Sequence, residues 1–120
     1  MTTLSATLEG IGFLVHDLVE AMRKDVGREL ADLRVDGGAS QDDLLMQFQA
    51  DLLGVDIVRP AMVETTALGA ALLAGLAVGA WKDRAEVTRI WREERRFVAA
   101  LPRDEVARRL ARWNEAVAKA

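Results

Sequence analysis

The run Asp36-Gly37-Gly38-Ala39, followed two residues later by Asp42-Asp43, is the part of this chain whose residue types and spacing suit chemistry. Leu33, Arg34 and Val35 alternate as a short strand before it, and Leu45, Phe48 and Leu52 give a helical stripe after it, so the glycines fall at a strand-to-helix turn. Glycine lets the main chain approach a phosphate or a base, and a helix start adds unpaired amides and the positive end of a dipole. Many such turns use a glycine pair only to change direction, so the residues alone leave that structural use open. Neither G-x-x-x-x-G-K-[ST] nor G-x-G-x-x-G occurs, and neither the P-loop nor the dinucleotide fingerprint applies.

Other chemistry is sparse. The chain has no cysteine and one histidine, which rules out disulfides and thiolate zinc sites and leaves little for an imidazole site. His16 has no partner nearby in sequence and reads as a solvated residue off the apolar stripe of its helix. Asp36 reads as a turn-stabilising acid, and Trp81, Trp91 and Trp113 as packing residues. Phosphoryl transfer needs a group that positions the attacking hydroxyl and carboxylates that hold a metal. No catalytic residue and no metal ligand are identified on those criteria.

The elements that must position the turn follow from pattern and punctuation. With 120 residues and 51% hydrophobic content, the chain has room for one domain with an ordinary core. Leu4, Leu8, Ile11, Val15, Leu18 and Met22 recur at helical spacing and predict a first amphipathic helix, stopped by Gly27. Gly10 and Gly12 inside it each cost about 1 kcal/mol relative to alanine, and so mark close approach by another element. Ser40 with Asp43 fits a capping box, and Gly54 a helix stop. Val55 to Val58 predicts a second strand closed by Arg59-Pro60, and Thr65 or Thr66 the cap of a third helix.

That third stretch, Ala67 to Trp81, is almost wholly apolar, yet about fifteen residues fall short of the roughly twenty that a membrane span needs. It predicts a buried helix whose small residues pack closely. Asp83 with Glu86 caps a further helical stretch toward Trp91, and Arg95 to Val98 suits an edge strand. Val106, Leu110, Trp113 and Val117 predict a terminal amphipathic helix after Pro102. The order is α/β with a thin sheet covered by helices, so an exposed sheet edge or apolar helix face is expected. The net charge is −3, and Arg92, Glu93, Glu94, Arg95 and Arg96 intersperse both signs, unlike the one-signed face of a nucleic-acid binder. The first residues lack the basic and apolar regions of a secretory signal, so the cytoplasm is the expected compartment.

Three long runs carry a resemblance to a known family. They are Ala6 to Phe13, Leu33 to Gly54, and Thr66 to Trp81. Together they resemble the carboxy-terminal part of the FGGY family of carbohydrate kinases, which have the actin-like ATPase (ribonuclease H-like) fold. Asp36 to Ala39 followed by Met46-Gln47-Phe48-Gln49-Ala50-Asp51 is closer to the family's glycerol kinases than to its xylulose or gluconate kinases. The resemblance implies that residues 1–120 are the later part of the family's carboxy-terminal domain, without the amino-terminal substrate domain.

It further implies ATP and magnesium as cofactors, and transfer of phosphate to glycerol, which the missing domain would bind. Gly38 maps to the family glycine that lies against ATP or ADP, in a turn with Gly37 and Ala39. Asp42 maps to a nucleotide-contacting asparagine, from which it departs, since an ionised aspartate only accepts hydrogen bonds. The family's catalytic aspartate and first phosphate loop fall in the earlier polypeptide, so this chain alone is not expected to turn over glycerol. A parent kinase with another polyol or sugar acceptor, and a non-catalytic chain that forms a homo-oligomer through its bare face, are the alternatives.

Overall fold

The computed structural model describes residues 3–120, with side chains from Ser5 onward. Met1, Thr2 and the side chain of Leu4 therefore lie outside the described residues. The chain runs α1 (Thr3–Val26), β1 (Asp32–Arg34), a 3₁₀ turn (Gly38–Gln41), α2 (Asp43–Leu53), β2 (Asp56–Pro60), α3 (Thr65–Ala77), α4 (Arg84–Thr88), β3 (Glu93–Phe97) and α5 (Arg103–Val117). The sheet has the order β1-β2-β3. β1 and β2 are parallel, with Leu33 opposite Ile57, as a crossover through α2 requires. β3 returns antiparallel to β2, placing Phe97 opposite Ile57 and Arg95 opposite Arg59. Val35 donates to the Val58 carbonyl at 3.1 Å and extends the parallel ladder to the edge of the glycine turn.

α2 holds the molecule together because both of its faces are used. Leu45, Met46, Ala50 and Leu53 join Val19 of α1, Ile57 and Phe97 in one buried cluster. Leu52 joins Phe13 of α1 and Val106 of α5 in a second, with Phe48, Leu110 and Trp113 around it. Phe13 lies edge-on to Phe48 at 5.4 Å and stacks on Trp113 at 5.1 Å between ring centroids. The Trp113 indole N–H donates to Asp17 at 2.8 Å and ties α5 to α1. Gly54 ends α2 in the left-handed region at φ 66°, as its place in the sequence predicts.

Three expectations need correction. Of the predicted stripe of α1, Leu8 and Val15 pack against the core, but Ile11, Leu18 and Met22 are exposed, Leu18 to 62%, and the fully buried apolar side chains of the helix are Phe13 and Val19. Apolar residues cover more than half of this helix's circumference, so spacing alone does not select the side that packs. His16, expected in solvent, has a side chain only 15% exposed, because it stands four residues after Gly12 on the α2-facing side.

α3 has no buried residue, and Leu73 is 69% exposed, against the expectation of a buried helix. A helix apolar all round needs cover on several sides. The two clusters are already filled by α1, α2, α5 and the sheet, and α3 contributes to neither. The radius of gyration, 17.4 Å, accordingly exceeds the ~14 Å of a closed domain of this length. Trp81 folds back against Gly75 at the end of the helix.

Smaller differences concern the ends of elements. Arg59 and Pro60 belong to β2, with a register shift between them that accommodates the proline. α4 stops at Thr88, short of Trp91, although Asp83 caps it at the Glu86 amide at 2.9 Å as the pattern requires. β3 begins at Glu93 and ends at Phe97, and Val117 at the end of α5 is exposed.

The two glycines of α1 separate in role. A Cβ on Gly12 would stand 2.6 Å from Cδ1 of Phe48, whereas one on Gly10 meets nothing within 4 Å. Gly12 is thus a point of close approach and Gly10 is not one within this chain. Gly12→Ala should lower stability by about 1–2 kcal/mol, since overpacking outweighs alanine's helix preference. Gly10→Ala should raise it by about 0.5–1 kcal/mol. Urea unfolding midpoints of the two variants check this, and shifts of the same sign would contradict it.

Candidate functional site

The glycine turn is held both by its own residues and by the segment between β2 and α3. Gly37 adopts φ 78° and ψ 174°, a conformation open to glycine alone, and its amide donates to the Val63 carbonyl at 2.9 Å. Ser40 is buried, and both its amide, at 3.2 Å, and its hydroxyl, at 2.6 Å, donate to the Gly37 carbonyl. Asp36 accepts a hydrogen bond from the hydroxyl of Thr65, at the start of α3. The turn is therefore fixed to β2, to the β2–α3 connection and to α3.

Gly38 and Ala39 are exposed at the beginning of the 3₁₀ turn, where no preceding carbonyl of the turn accepts their amides. Unlike Gly37, Gly38 has no positive φ, and a Cβ added to it meets nothing within 4 Å. Neither backbone conformation nor packing among the described residues requires glycine there.

The helix cap differs from the expected one. Asp42, not Ser40, is the N-cap of α2, its Oδ1 accepting from the Leu45 amide at 3.0 Å. Ser40 does not serve, because it lies within the 3₁₀ turn, where its hydroxyl is directed back to the Gly37 carbonyl. The 3₁₀ turn between glycines and helix moves the cap two residues along the chain. Glu64, in the same way, stands at the N-cap of α3 without a side-chain bond, while Thr65 turns to Asp36.

A residue that spacing alone did not reveal organises this corner. Arg59 of β2 is 8% exposed. One of its terminal nitrogens donates to the Ser40 carbonyl at 2.8 Å and to Asp43 Oδ1 at 2.8 Å, and its Nε donates to Glu94 Oε2 at 2.7 Å. Its guanidinium carbon lies 5.3 Å from the centre of the Phe97 ring. Arg95 of β3 pairs with the other oxygen of Asp43. The hydrogen bond from Arg59, and then the charges of Arg95 and Arg59, hold the Asp43 carboxyl below its ordinary range, while Glu94 foremost raises Arg59. The only signal in the sequence is an arginine between a buried strand and a proline.

Beside the turn, Arg34, Asp36, Pro60, Thr65 and Trp91 line a small cavity of about 130 Å³ at the carboxyl ends of the parallel strands. Ligands of open α/β sheets bind at such ends. The guanidinium of Arg34 lies 4.5 Å over the Trp91 ring. Among the described residues no group of three or more His, Asp or Glu is placed to hold a metal ion, and no helix is long and apolar enough to cross a membrane.

Residues 3–78 match the FGGY family of carbohydrate kinases, C-terminal domain. The chain is 58% identical over 112 residues to the glycerol kinase of Dechloromonas aromatica, covering 93% of this chain and 22% of that protein. The structure of Plasmodium falciparum glycerol kinase with ADP superposes with a TM-score of 0.86 at 33% identity, over 99% of this chain and 25% of its own. Ligand-bound xylulose kinase from Lactobacillus acidophilus, at 22% identity and a TM-score of 0.72 over 89% of this chain and 21% of its own, shares the fold. The chain thus spans about a fifth of the length of the curated relative it matches.

The ion pairs around Asp43 set an acid response. A carboxylate whose pKa is lowered by folding contributes stability in full above its unfolded value, and that contribution is lost as the pH falls through the lowered folded value. Glu105 of α5, lowered by Arg108 and then Arg109, acts in the same direction. The urea midpoint should therefore fall between about pH 5 and about pH 3, and fall by less in Asp43→Asn. Equal losses in the two proteins would remove Asp43 from the acid response.

Proposed function

Because the chain belongs to the FGGY family of carbohydrate kinases, through that family's C-terminal domain, we propose that it forms the nucleotide side of an ATP-dependent kinase that phosphorylates glycerol. The product would be sn-glycerol 3-phosphate, and residues 1–120 would be the later part of the carboxy-terminal domain. The observation that carries this reading is Gly38. A glycine loses more conformational freedom on folding than any other residue, and nothing among the described residues asks for one at that place. A ligand lying against the backbone of Gly37, Gly38 and Ala39 would ask for it, and the family similarity supports ATP or ADP as that ligand.

Asp42 enters on narrower terms. Its Oδ1 is used by the helix cap, so the remaining oxygen faces any ligand as an acceptor only. A ribose hydroxyl suits it and a phosphate does not. The family pattern has asparagine here, whose amide donates as well, so nucleotide affinity should be lower than with that residue.

Catalysis by this chain alone is not part of the proposal. Glycerol, the group that activates its hydroxyl, and the carboxylates that position magnesium would come from the remainder of such an enzyme. Magnesium finds no three-ligand cluster among the described residues and would arrive on the nucleotide. The exposed apolar surface of α3 and of Ile11, Leu14, Leu18 and Met22 supports a cover of that kind, with a second copy of the chain as the competing one. A cytoplasmic setting goes with the use of ATP.

Calorimetric titration with ADP and with magnesium-ATP, beside a glycerol phosphorylation assay, tests the proposal. Binding without turnover is expected. Gly38→Val should weaken ADP binding at least about tenfold, or ~1.4 kcal/mol, at an unchanged urea midpoint. Unchanged affinity in the folded variant would remove Gly38 from the site.

A further inference from the structure

We propose that Arg59 is a positioning residue for the glycine turn, fixing Gly37-Gly38 for the nucleotide through Ser40 and Asp43. The inference rests on the reading of that turn as the nucleotide-contacting element. Its physical basis is independent of that reading. Arg59 is almost wholly removed from water, and a charge so placed is stable only while its acceptors stay in place. Those acceptors belong to three separate segments: the Ser40 carbonyl in the 3₁₀ turn, Asp43 at the first residue of α2, and Glu94 on β3.

The connection from Arg59 to the turn is short. Ser40, held by its carbonyl, directs its own amide and hydroxyl to the Gly37 carbonyl, which begins the Gly37–Gly38 peptide. Asp43, held by its carboxylate, fixes the first turn of α2 next to Asp42. Loss of the guanidinium would free the Ser40 carbonyl and release both constraints at once. Lysine cannot replace it in full. A single ammonium offers a point charge and no planar fork, and reaches Asp43 and Ser40 or Glu94, not all three.

Hydrogen exchange on the whole chain, with ADP titration of the same proteins, separates positioning from general stability. In Arg59→Met, the Ser40 and Asp42 amides should exchange at least about tenfold faster relative to those of α1 and α5, and ADP should bind at least about tenfold more weakly. Arg59→Lys should recover part of both effects. Faster exchange spread evenly over α1, α2 and α5, or ADP affinity unchanged in a folded Arg59→Met, would overturn the proposal. If Arg59→Met does not fold, Glu94→Gln, which removes one half-exposed anchor, is held to the same two criteria. A wild-type chain that does not bind ADP counts against the nucleotide reading alone, and the exchange pattern then decides the role of Arg59.

Discussion

A single guanidinium withdrawn from water on the middle strand is the constraint on which this corner of the structure depends. A buried charge is tolerated when it is paired and hydrogen-bonded, and Arg59 donates to a carbonyl and two carboxylates that lie 19, 16 and 35 residues away in the chain. Its position between Val58 and Pro60 sets its height along the sheet, and the antiparallel return of β3 brings Glu94 and Arg95 to the same level. Sheet register and loop conformation are therefore coupled. A one-residue slip of β3 would turn Glu94 away from Arg59 and carry Phe97 out of the core. The polar network and the hydrophobic cluster select the same register.

The apolar residues have a second arrangement that the chain itself does not complete. α2 is satisfied on both faces, whereas α1 is satisfied on one and α3 on neither. Burial of apolar surface is worth roughly 25 cal/mol per Å², so the uncovered side chains of α1 and α3 are stabilisation withheld until another surface meets them. The glycine turn is spared this dependence. Its anchors are Val63, Thr65 and Arg59, all within the chain, which accounts for a well-formed loop beside an uncovered helix.

What could be read from sequence depends on the range of the interactions responsible. Elements fixed by local pattern are found where the residues place them: α1, α2 and α5 from their periodicity, the ends at Gly27 and Gly54, the cap by Asp83. The phase of α1 was legible only in part: Leu8 and Val15 face the core, but Ile11 and Leu18 are as apolar as Phe13 and Val19, and only the facing helix selects between them. The cap of α2 was misplaced because Ser40 and Asp42 are both good caps, and the choice rests on a 3₁₀ turn that has no sequence signature of its own. Gly37 was legible as a turn glycine. Arg59 was not legible as anything but the residue before a proline, because all three of its partners are distant in sequence.

The charges around the turn bear on which part of a nucleotide would lie where. Asp42 and Asp43 both stand at the positive end of the α2 dipole, and two free carboxylates there would repel a phosphate. They are not equivalent. Asp43 is neutralised by Arg59 and Arg95, whereas Asp42 gives one oxygen to the helix and keeps the other. The Asp36 carboxylate, whose partner is the neutral hydroxyl of Thr65, stands on the other side, so under the nucleotide reading the open amides of Gly38 and Ala39 lie between two carboxylates. Under the same reading, phosphates would suit those amides, and the hydroxyl donors of a sugar would suit the carboxylates that flank them.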